Sequence, residues 1–469
     1  MIKLQKCDSI KNSDSTAQHS TAQHSTAQHS TAPCALFSEI KGKLGFGCLR
    51  LPMKDSLHIR AVRKAKSIIR RTIPASNNIP AQNSQQKSVY TVKHFSLYTF
   101  TKKAIRKVLG KIFRTKAKVD LRKMNRMVDT FMSEGFNYFD TAHTYLGGMS
   151  ETALRECLVK RYPRNSYVLA NKLSYNFIKN PDDVVSLFEI QLRACGVYYF
   201  DFYMIHGVSA ERYEIFQQCR AFETAIEFKR IGKIKHFGMS FHDSPELLEQ
   251  ILKKYPEIEF VQIQLNYADI DSPIIQGMDN YKILEKYNKP VIVMEPVKGG
   301  VLVNLPDKAK SIFDNLNGGS YASYAIRYAA SFPNVILVLS GMGNIDMVKD
   351  NTGFMKDFQP LTETELTAIN TVRKILKNQN AVPCTSCHYC IEGCPKDIPI
   401  PEILSCINRK IQYNSGEGNF LSSFYYGVYT KDHGKASDCI KCGKCEKECP
   451  QRLAVRDLLA RAAGMFEYV

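Results

Sequence analysis

A cysteine motif that occurs twice near the C-terminus constrains this chain more than any other feature of its sequence. The pattern is Cys-x-x-Cys-x-x-Cys-x-x-x-Cys-Pro, and its cysteines are Cys384, Cys387, Cys390 and Cys394 in the first copy and Cys439, Cys442, Cys445 and Cys449 in the second. In such a run the first three thiolates bind one iron–sulfur cluster and the fourth binds the neighbouring cluster. The spacing predicts two [4Fe–4S] clusters, one held by Cys384, Cys387, Cys390 and Cys449 and the other by Cys439, Cys442, Cys445 and Cys394.

Zinc sites and disulfides are the alternative interpretations of these cysteines. Structural zinc uses four ligands per site and has no need of a repeated third cysteine followed by proline. Disulfides require an oxidising compartment, but the opening MIKLQKCDSIKNSDS has no apolar core of a signal peptide. No stretch of the sequence approaches the ~18 apolar residues of a membrane span. We therefore expect a cytoplasmic protein with reduced, iron-binding cysteines.

The positive charge of the chain is concentrated in one segment. Of a net charge of +19 over 469 residues, residues 54–118 carry +16, from 17 Lys and Arg against one acid, Asp55. Ile105, Val108, Leu109, Ile112 and Phe113 fall on one helical face of this segment. A basic amphipathic helix can bind an anionic membrane surface or an acidic protein. Packing on the rest of the fold, or disorder, is the plainer interpretation, and nucleic acid is the least favoured partner.

The chain divides into a tail, a main domain and a C-terminal domain. Residues 15–29 are three STAQH units, whose small polar residues cannot form a core, so we expect residues 1–36 to be a disordered low-complexity tail. The main domain is assigned to residues 37–360, interrupted by the basic insertion 54–118. Residues 361–469 are assigned to a ferredoxin-type domain, in which a helix over 401–413 separates the two cysteine motifs.

Apolar runs alternate with helical patterns through the main domain. Eight runs are predicted to be strands, at 44–51, 137–142, 166–173, 200–206, 235–241, 260–267, 290–297 and 335–342. Helices are predicted between them, for example at 121–134, 150–161, 182–195, 211–230, 244–254, 320–331 and 344–356. This alternation predicts an α/β fold, a (β/α)8 TIM barrel followed by the small, mainly helical iron–sulfur domain. An open doubly wound sheet is the alternative, but no G-x-G-x-x-G follows the first strand.

Polar residues lie at the carboxyl ends of three successive predicted strands or just beyond, where active sites of such barrels lie: Asp140, Tyr145, Lys172 and His206. A tyrosine with a pKa near 10 is a poor acid at neutral pH unless a neighbour stabilises its phenolate. Lys172 can do this, with Asp140 holding the ammonium in place, while His206 orients a carbonyl oxygen beside Tyr145. Such a set protonates an oxygen while hydride reaches the carbon, and hydride requires a cofactor.

The segments around these residues resemble the aldo-keto reductase superfamily, and in particular its branch with a C-terminal ferredoxin-like domain. The similar segments are GFGCLRLP, GFNYFDTAHTYLGGMSE, ANKL, DFYMIHG, GMSF, QLNY and VMEPVKGG. The resemblance covers residues 43–53 and 119 to the end. It implies that Asp140, Tyr145, Lys172 and His206 are the catalytic tetrad and that a nicotinamide cofactor lies across the strand ends. It further implies that cofactor-binding residues are Ser240 and Gln264 for the carboxamide and Ser340, Gly341 and Asn351 for the phosphates and adenosine.

This sequence departs from the family pattern at four of the cofactor positions. Phe241 replaces the usual Asn after Ser240, and Met294 lies where an aromatic commonly stacks on the nicotinamide. Gly341 and Met347 replace the basic pair that binds a 2′-phosphate in many members. The choice between NADH and NADPH therefore stays open.

Three functions remain under consideration. The favoured one is NAD(P)H-dependent reduction of a small aldehyde or ketone, with the clusters exchanging electrons with a ferredoxin or flavoprotein or bracing the fold. The second is an iron–sulfur electron-transfer module that uses the barrel as a docking scaffold. The third, a membrane-associated adaptor, depends on the basic insertion alone.

Overall fold

Eight parallel strands form a closed barrel in sequence order, which confirms the predicted (β/α)8 architecture. The computed structural model describes residues 37–54, 118–273, 275–316, 318–377, 381–412 and 416–467. The predicted tail and residues 55–117 of the insertion lie outside the described residues. The strands are β1 (Leu44–Gly47), β2 (Tyr138–Asp140), β3 (Val168–Ser174), β4 (Phe200–Val208), β5 (Ile234–Phe241), β6 (Phe260–Gln264), β7 (Val291–Met294) and β8 (Val335–Ser340).

Helices surround the barrel and then continue into the C-terminal region. Those that precede the first cysteine motif are α1 (Leu121–Ser133), α2 (Met149–Leu154), α3 (Pro181–Cys195), α4 (Ala210–Gln218), α5 (Ala221–Arg230), α6 (Pro245–Lys254), α7 (Gly277–Lys286), α8 (Asp307–Asp314), α9 (Tyr321–Ala330), α10 (Ile345–Lys356) and α11 (Glu363–Lys377). Helix α12 (Tyr389–Glu392) lies within the first motif, and it is followed by α13 (Ile400–Gln412), α14 (Gly416–Tyr429), α15 (Lys444–Lys447) and α16 (Val455–Phe466). None of the helices within the described ranges is long and apolar enough to cross a membrane.

Local sequence explains where helices such as α3 begin and end. The Asn180 side chain accepts a hydrogen bond from the backbone N–H of Asp183 at 3.1 Å, and Pro181 occupies the first turn, where it has no amide to leave unpaired. Gly196 ends the helix in the left-handed region at φ 73°. Buried Val184, Leu187 and further apolar residues then face the barrel.

Two predicted helices differ from the structure. The helix expected over 211–230 is split into α4 and α5, because Arg220 adopts a left-handed conformation (φ 53°) that an α-helix cannot contain. The helix expected over 150–161 continues from α2 as a turn of π-helix over Arg155–Val159.

The barrel interior is closed at the amino ends of the strands. Phe37 packs against Phe202 of β4 and Phe260 of β6, with ring centroids 5.5 Å and 6.1 Å apart. All three side chains are at most 4 % exposed. Because hydrophobic side chains of the described residues fill this end, the site is expected at the carboxyl end of the barrel.

The C-terminal region has a hydrophobic core of its own. Ile403, Leu404 and Ile407 of α13 pack with Val455 and Leu459 of α16, next to the cluster cysteines. Helix α11 lies outside this core: its Ala368, Ile369 and Val372 pack with residues of the loops and helices that follow β6 and β7. The predicted boundary at residue 361 places α11 in the C-terminal domain, whereas its packing places it with the barrel.

Candidate active site

The four residues of the predicted tetrad converge at the carboxyl end of the barrel. Asp140 ends β2, Lys172 lies in β3, and His206 lies in β4. Tyr145 begins a short 3-10 turn after β2. Asp140 and Lys172 are at most 2 % exposed and Tyr145 is 7 % exposed. The structure thus brings together side chains that are up to 66 residues apart along the chain.

Lys172 is the centre of the hydrogen-bond arrangement. Its Nζ donates to Asp140 Oδ1 at 2.5 Å, to the Thr141 carbonyl at 3.0 Å and to Tyr145 Oη at 3.2 Å. These three bonds use all the N–H groups of an ammonium. The charge therefore lies directly beside the oxygen of Tyr145, where it favours phenolate once a proton has left.

Burial sets the protonation states of the tetrad. Burial lowers the pKa of Lys172 from its usual value, and the attraction of Asp140 opposes that shift. Burial, followed by the effect of Tyr389, raises the pKa of Tyr145 well above 10, so the phenol holds its proton at neutral pH. Burial likewise lowers the pKa of His206 well below 6.5, so its imidazole is neutral. At neutral pH Tyr145 is therefore a phenol and His206 a neutral imidazole.

His206 is fixed by its strand neighbour. Ser174 of β3 pairs with His206 in the sheet register, and the Ser174 hydroxyl lies 2.7 Å from Nδ1 of the imidazole. The His206 and Tyr145 rings lie 5.9 Å apart at a steep angle. The Ser174 contact leaves Nε2 of His206 as the nitrogen available to a substrate oxygen.

The residues expected to bind the nicotinamide carboxamide are buried and already hydrogen-bonded. The Ser240 hydroxyl accepts from the Gly207 backbone N–H at 2.7 Å. The Gln264 amide donates to Glu295 Oε2 at 3.1 Å, and the same oxygen accepts from Gln451 of the C-terminal domain at 3.1 Å. Burial raises the pKa of Glu295, against the opposing effect of Arg50.

The positions expected at the phosphates and adenosine are also engaged within the protein. The Asn351 amide donates to the Ser340 hydroxyl at 2.8 Å, and both residues are at most 4 % exposed. Gly341 lies beside the Arg50 side chain, which donates to the carbonyl of Thr385 in the first cysteine motif. The neighbours of Gln264 and Gly341, namely Glu295 and Arg50, bond to the C-terminal domain, so these two positions do not fit a nicotinamide cofactor while that domain stays in place.

The cluster cysteines line two separate cavities. One is lined by Cys384, Cys387, Cys390 and Cys449, and the other by Cys394, Cys439, Cys442 and Cys445. This grouping is the one that the motif spacing predicts. In the described part of the chain, no three His, Cys, Asp or Glu side chains converge closely enough to hold a single metal ion. The thiolates instead surround a space, an arrangement that fits iron–sulfur clusters, which we call cluster 1 and cluster 2 in that order.

The cluster 1 motif reaches the tetrad through Tyr389, which lies between Cys387 and Cys390. The Tyr389 phenol interacts with that of Tyr145, and its ring lies 6.2 Å from the His206 ring. Tyr389 was not predicted as a site residue. In the sequence, only its position within Cys-His-Tyr-Cys distinguishes it from other aromatic residues.

Glu448 connects the second motif to the barrel. Its carboxylate pairs with Arg212 of α4 at 3.1 Å and accepts from the hydroxyl of Tyr175, the residue that follows β3. Arg452, a few residues further on, pairs with Asp243 at 3.2 Å. These contacts were not predicted either, because nothing in the sequence around a single carboxylate indicates which residue it pairs with.

Two cavities adjoin this interface. A cavity of about 40 Å³ lies beside the tetrad, lined by His206, Tyr389 and Glu448 among others. A wider cleft of about 1030 Å³ lies between the turn after β7 and the C-terminal domain, beside Cys384. No tetrad residue is among the described residues that line this cleft.

Comparisons with known proteins agree with these features. The aldo/keto reductase family profile matches residues 109–374, and the 4Fe-4S dicluster domain profile matches residues 383–454. No curated protein matches the chain.

Solved structures of aldo-keto reductases are similar to the barrel. Aldo-keto reductase AKR11C1 from Bacillus halodurans, in its holo form, is 24% identical, with a TM-score of 0.46, over 54% of this chain and 88% of its own. An aldo-keto reductase from Klebsiella pneumoniae in complex with NADPH is 18% identical, with a TM-score of 0.45, over 54% of this chain and 85% of its own. Glycerol dehydrogenase AKR11B4 from Gluconobacter oxydans is 20% identical, with a TM-score of 0.44, over 54% and 85%. The dicluster domain follows the barrel. Because the aldo/keto reductase profile matches more than half of this chain, the chain belongs to the aldo/keto reductase family.

Proposed function

We propose that this oxidoreductase reduces an aldehyde or ketone, with Tyr145 as the proton donor and NAD(P)H as the reductant. The observation that supports the proposal is the hydrogen bond from Lys172 Nζ to Tyr145 Oη at 3.2 Å, in a buried site where Asp140 holds the ammonium. When Tyr145 gives its proton to a carbonyl oxygen, the phenolate forms next to a positive charge, which lowers the energy of that step. His206, neutral and fixed by Ser174, can orient the same oxygen.

The proposal that NAD(P)H is the reductant is based on the resemblance to aldo-keto reductases. Carbonyl reduction consumes two electrons and two protons, and NAD(P)H supplies a hydride when it is bound. Because Gln264 is bonded to Glu295, and Glu295 also accepts a hydrogen bond from Gln451 of the C-terminal domain, we expect cofactor binding to require that this domain move away from the barrel. NADH and NADPH stay equal candidates, since neither Gly341 nor Met347 is basic.

A second candidate function is supported by the position of the clusters. The cluster 1 motif touches the tetrad through Tyr389, whereas the cluster 2 motif is at the surface, with Cys442 exposed and Ile440 55 % exposed. This arrangement suits the exchange of single electrons between a ferredoxin or flavoprotein and the clusters. The clusters then serve electron transfer, with the barrel as the docking scaffold. Since cluster cysteines must stay reduced, we infer a cytoplasmic location for either function.

Replacement of Tyr145 tests the first candidate. Tyr145→Phe should lower the rate of carbonyl reduction by at least ~10²-fold, because a positioned general acid contributes that much. The matched control is Tyr138→Phe, which changes another buried strand-region tyrosine outside the tetrad. Rates are measured anaerobically with NADH and NADPH on a panel of aldehydes and ketones. They are measured in the wild type and in Glu448→Gln, which weakens the ion pair between the C-terminal domain and Arg212 of the barrel. Equal rates for Tyr145→Phe and Tyr138→Phe would remove Tyr145 from the mechanism.

Electron exchange is tested by anaerobic titration with NADH and NADPH, and separately with a reduced ferredoxin, while the clusters are observed by EPR. If the barrel serves only as a scaffold, the reduced ferredoxin reduces the clusters and no carbonyl turnover accompanies it. Carbonyl turnover that stops with Tyr145→Phe supports the reductase instead.

A further inference from the structure

The side chain of Tyr389 lies where a carbonyl substrate would have to bind. Its phenol faces Tyr145, the proton donor, and its ring packs at a steep angle to His206, the residue that orients a substrate oxygen. A substrate oxygen has to be within hydrogen-bond reach of the proton donor. Tyr389 and a bound carbonyl therefore compete for the same place.

Among the residues that the structure describes, the cavity beside the tetrad is too small for the reactants. The cavity lined by His206, Tyr389 and Glu448 has a volume of about 40 Å³. Ligand sites usually have ~300–1,000 Å³, and a single water needs at least ~10–15 Å³. This cavity can hold a few waters, but it cannot hold a carbonyl compound together with a nicotinamide ring.

The same domain also closes the cofactor side of the site. Thr385, only 1 % exposed, accepts a hydrogen bond from Arg50 and packs against Gly299. Gln451 donates to the carboxylate of Glu295, which also holds the Gln264 amide. The substrate side and the cofactor side are therefore covered by residues of one domain, which lie in the cluster 1 motif and just after the second motif.

An ion pair holds this unit on the barrel. Glu448 and Arg212 lie 3.1 Å apart with side chains 25 % and 15 % exposed, so solvent screens the pair only in part. Arg212 also lies over the Tyr175 ring at 4.8 Å, and the Tyr175 hydroxyl donates to Glu448. These contacts join α15 and the residues after it to the segments that follow β3 and β4. Loss of one partner from such a pair leaves the other charge poorly solvated.

We propose that the C-terminal domain is a lid on the tetrad, with Tyr389 as a plug in the carbonyl position and Glu448 as its latch. In the closed arrangement the barrel excludes both nicotinamide and carbonyl compound, and it admits them when the domain lifts. The lid deepens the proposed function and rests on it only for the identity of the excluded ligands. Its closure over Tyr145 is a matter of geometry alone.

Glu448→Gln in the complete, cluster-loaded protein tests the latch. Glu446→Gln is its matched control, because Glu446 is a neighbouring carboxylate that pairs with Arg456 inside the C-terminal domain, at 2.7 Å, and not with the barrel. Iron content, expected to be about eight per chain for two clusters, is checked in both variants. Two quantities are measured: hydrogen–deuterium exchange of the amides at 141–149, around Tyr145, and the affinity for NADH and NADPH by calorimetry.

Glu448→Gln should speed exchange at 141–149 and tighten nicotinamide binding, each by about tenfold or more, whereas Glu446→Gln should resemble the wild type. Unchanged exchange at 141–149 in Glu448→Gln overturns the lid. Faster exchange without tighter binding of either nucleotide overturns the claim that the lid excludes nicotinamide. If exchange and binding both increase but no carbonyl is reduced, the lid stands and the proposed reductase function fails.

Discussion

At the scale of single residues, the position of Lys172 depends on a hydrogen-bond chain behind the tetrad. Its backbone carbonyl accepts from the Gln191 amide of α3 at 2.8 Å, and the Gln191 oxygen accepts from the Tyr203 hydroxyl of β4 at 2.6 Å. All of these groups are buried. Because a buried polar network is costly when one member is missing, these hydrogen bonds hold Lys172 in a single position.

Two buried tyrosines give opposite predictions for stability. Tyr203→Phe leaves the Gln191 oxygen without its donor and should cost about 1–3 kcal/mol. Tyr138→Phe removes a hydroxyl that has no hydrogen-bond partner among the described residues, so stability should be unchanged or higher. Both side chains are fully buried, which makes them a matched pair. Anaerobic urea unfolding measures both; an equal loss in the two variants would contradict the role given to Gln191.

The tetrad could be predicted from the sequence, because each of its residues lies at or near the carboxyl end of a predicted strand. Carboxyl ends of parallel barrel strands meet at one end, so Asp140, Lys172 and His206 could be expected together. Tyr389 and Glu295 could not be expected there. Their places depend on how two segments with separate hydrophobic cores meet, and no periodicity in the sequence records that.

At the scale of elements, continuous apolar runs predicted all eight strands to within a few residues, since buried parallel strands have little else in them. Helices were less readable. Helices α7 and α8 were not among those predicted, and both begin without a side-chain cap, after Gln276 and Pro306. The capping residues that usually mark a helix start are absent there. The break at Arg220 is also silent in the sequence, because arginine is otherwise a good helix former.

The turn after β7 provides a prediction at this scale. Gly299 has φ +64°, and a Cβ there would lie 2.2 Å from the Thr385 carbonyl oxygen. Gly299→Ala should therefore push the cluster 1 motif away from the barrel and speed hydrogen–deuterium exchange at 384–390.

Gly232→Ala is the control for this substitution. Gly232 has φ +73° and no atom within 4 Å of a Cβ, so the alanine there meets only the left-handed backbone cost of about 1–2 kcal/mol. If both variants leave exchange at 384–390 as in the wild type, then Gly299 does not support the domain contact.

At the scale of the whole molecule, the iron–sulfur domain covers the site and closes it. Contacts run from residues after β3, β4, β5 and β7, namely Tyr175, Arg212, Asp243 and Glu295, to the C-terminal domain. The spacing of the cysteines indicates which of them share a cluster, but it says nothing about where the clusters sit. Here the cluster 1 motif lies against the tetrad through Tyr389, so we expect the integrity of the cluster and the accessibility of the site to be linked.

Removal of iron tests that link most directly. Amide exchange at 141–149, around Tyr145, is compared between the cluster-loaded protein and the same complete chain after anaerobic removal of its iron. Residues 228–235, from the end of α5 to the start of β5, are the internal reference. We expect faster exchange at 141–149 and no change in the reference, because Tyr389 is held in place by the cluster 1 cysteines on either side of it. Exchange at 141–149 that stays as slow after complete loss of iron as in the cluster-loaded protein would contradict the closure of the site by the C-terminal domain.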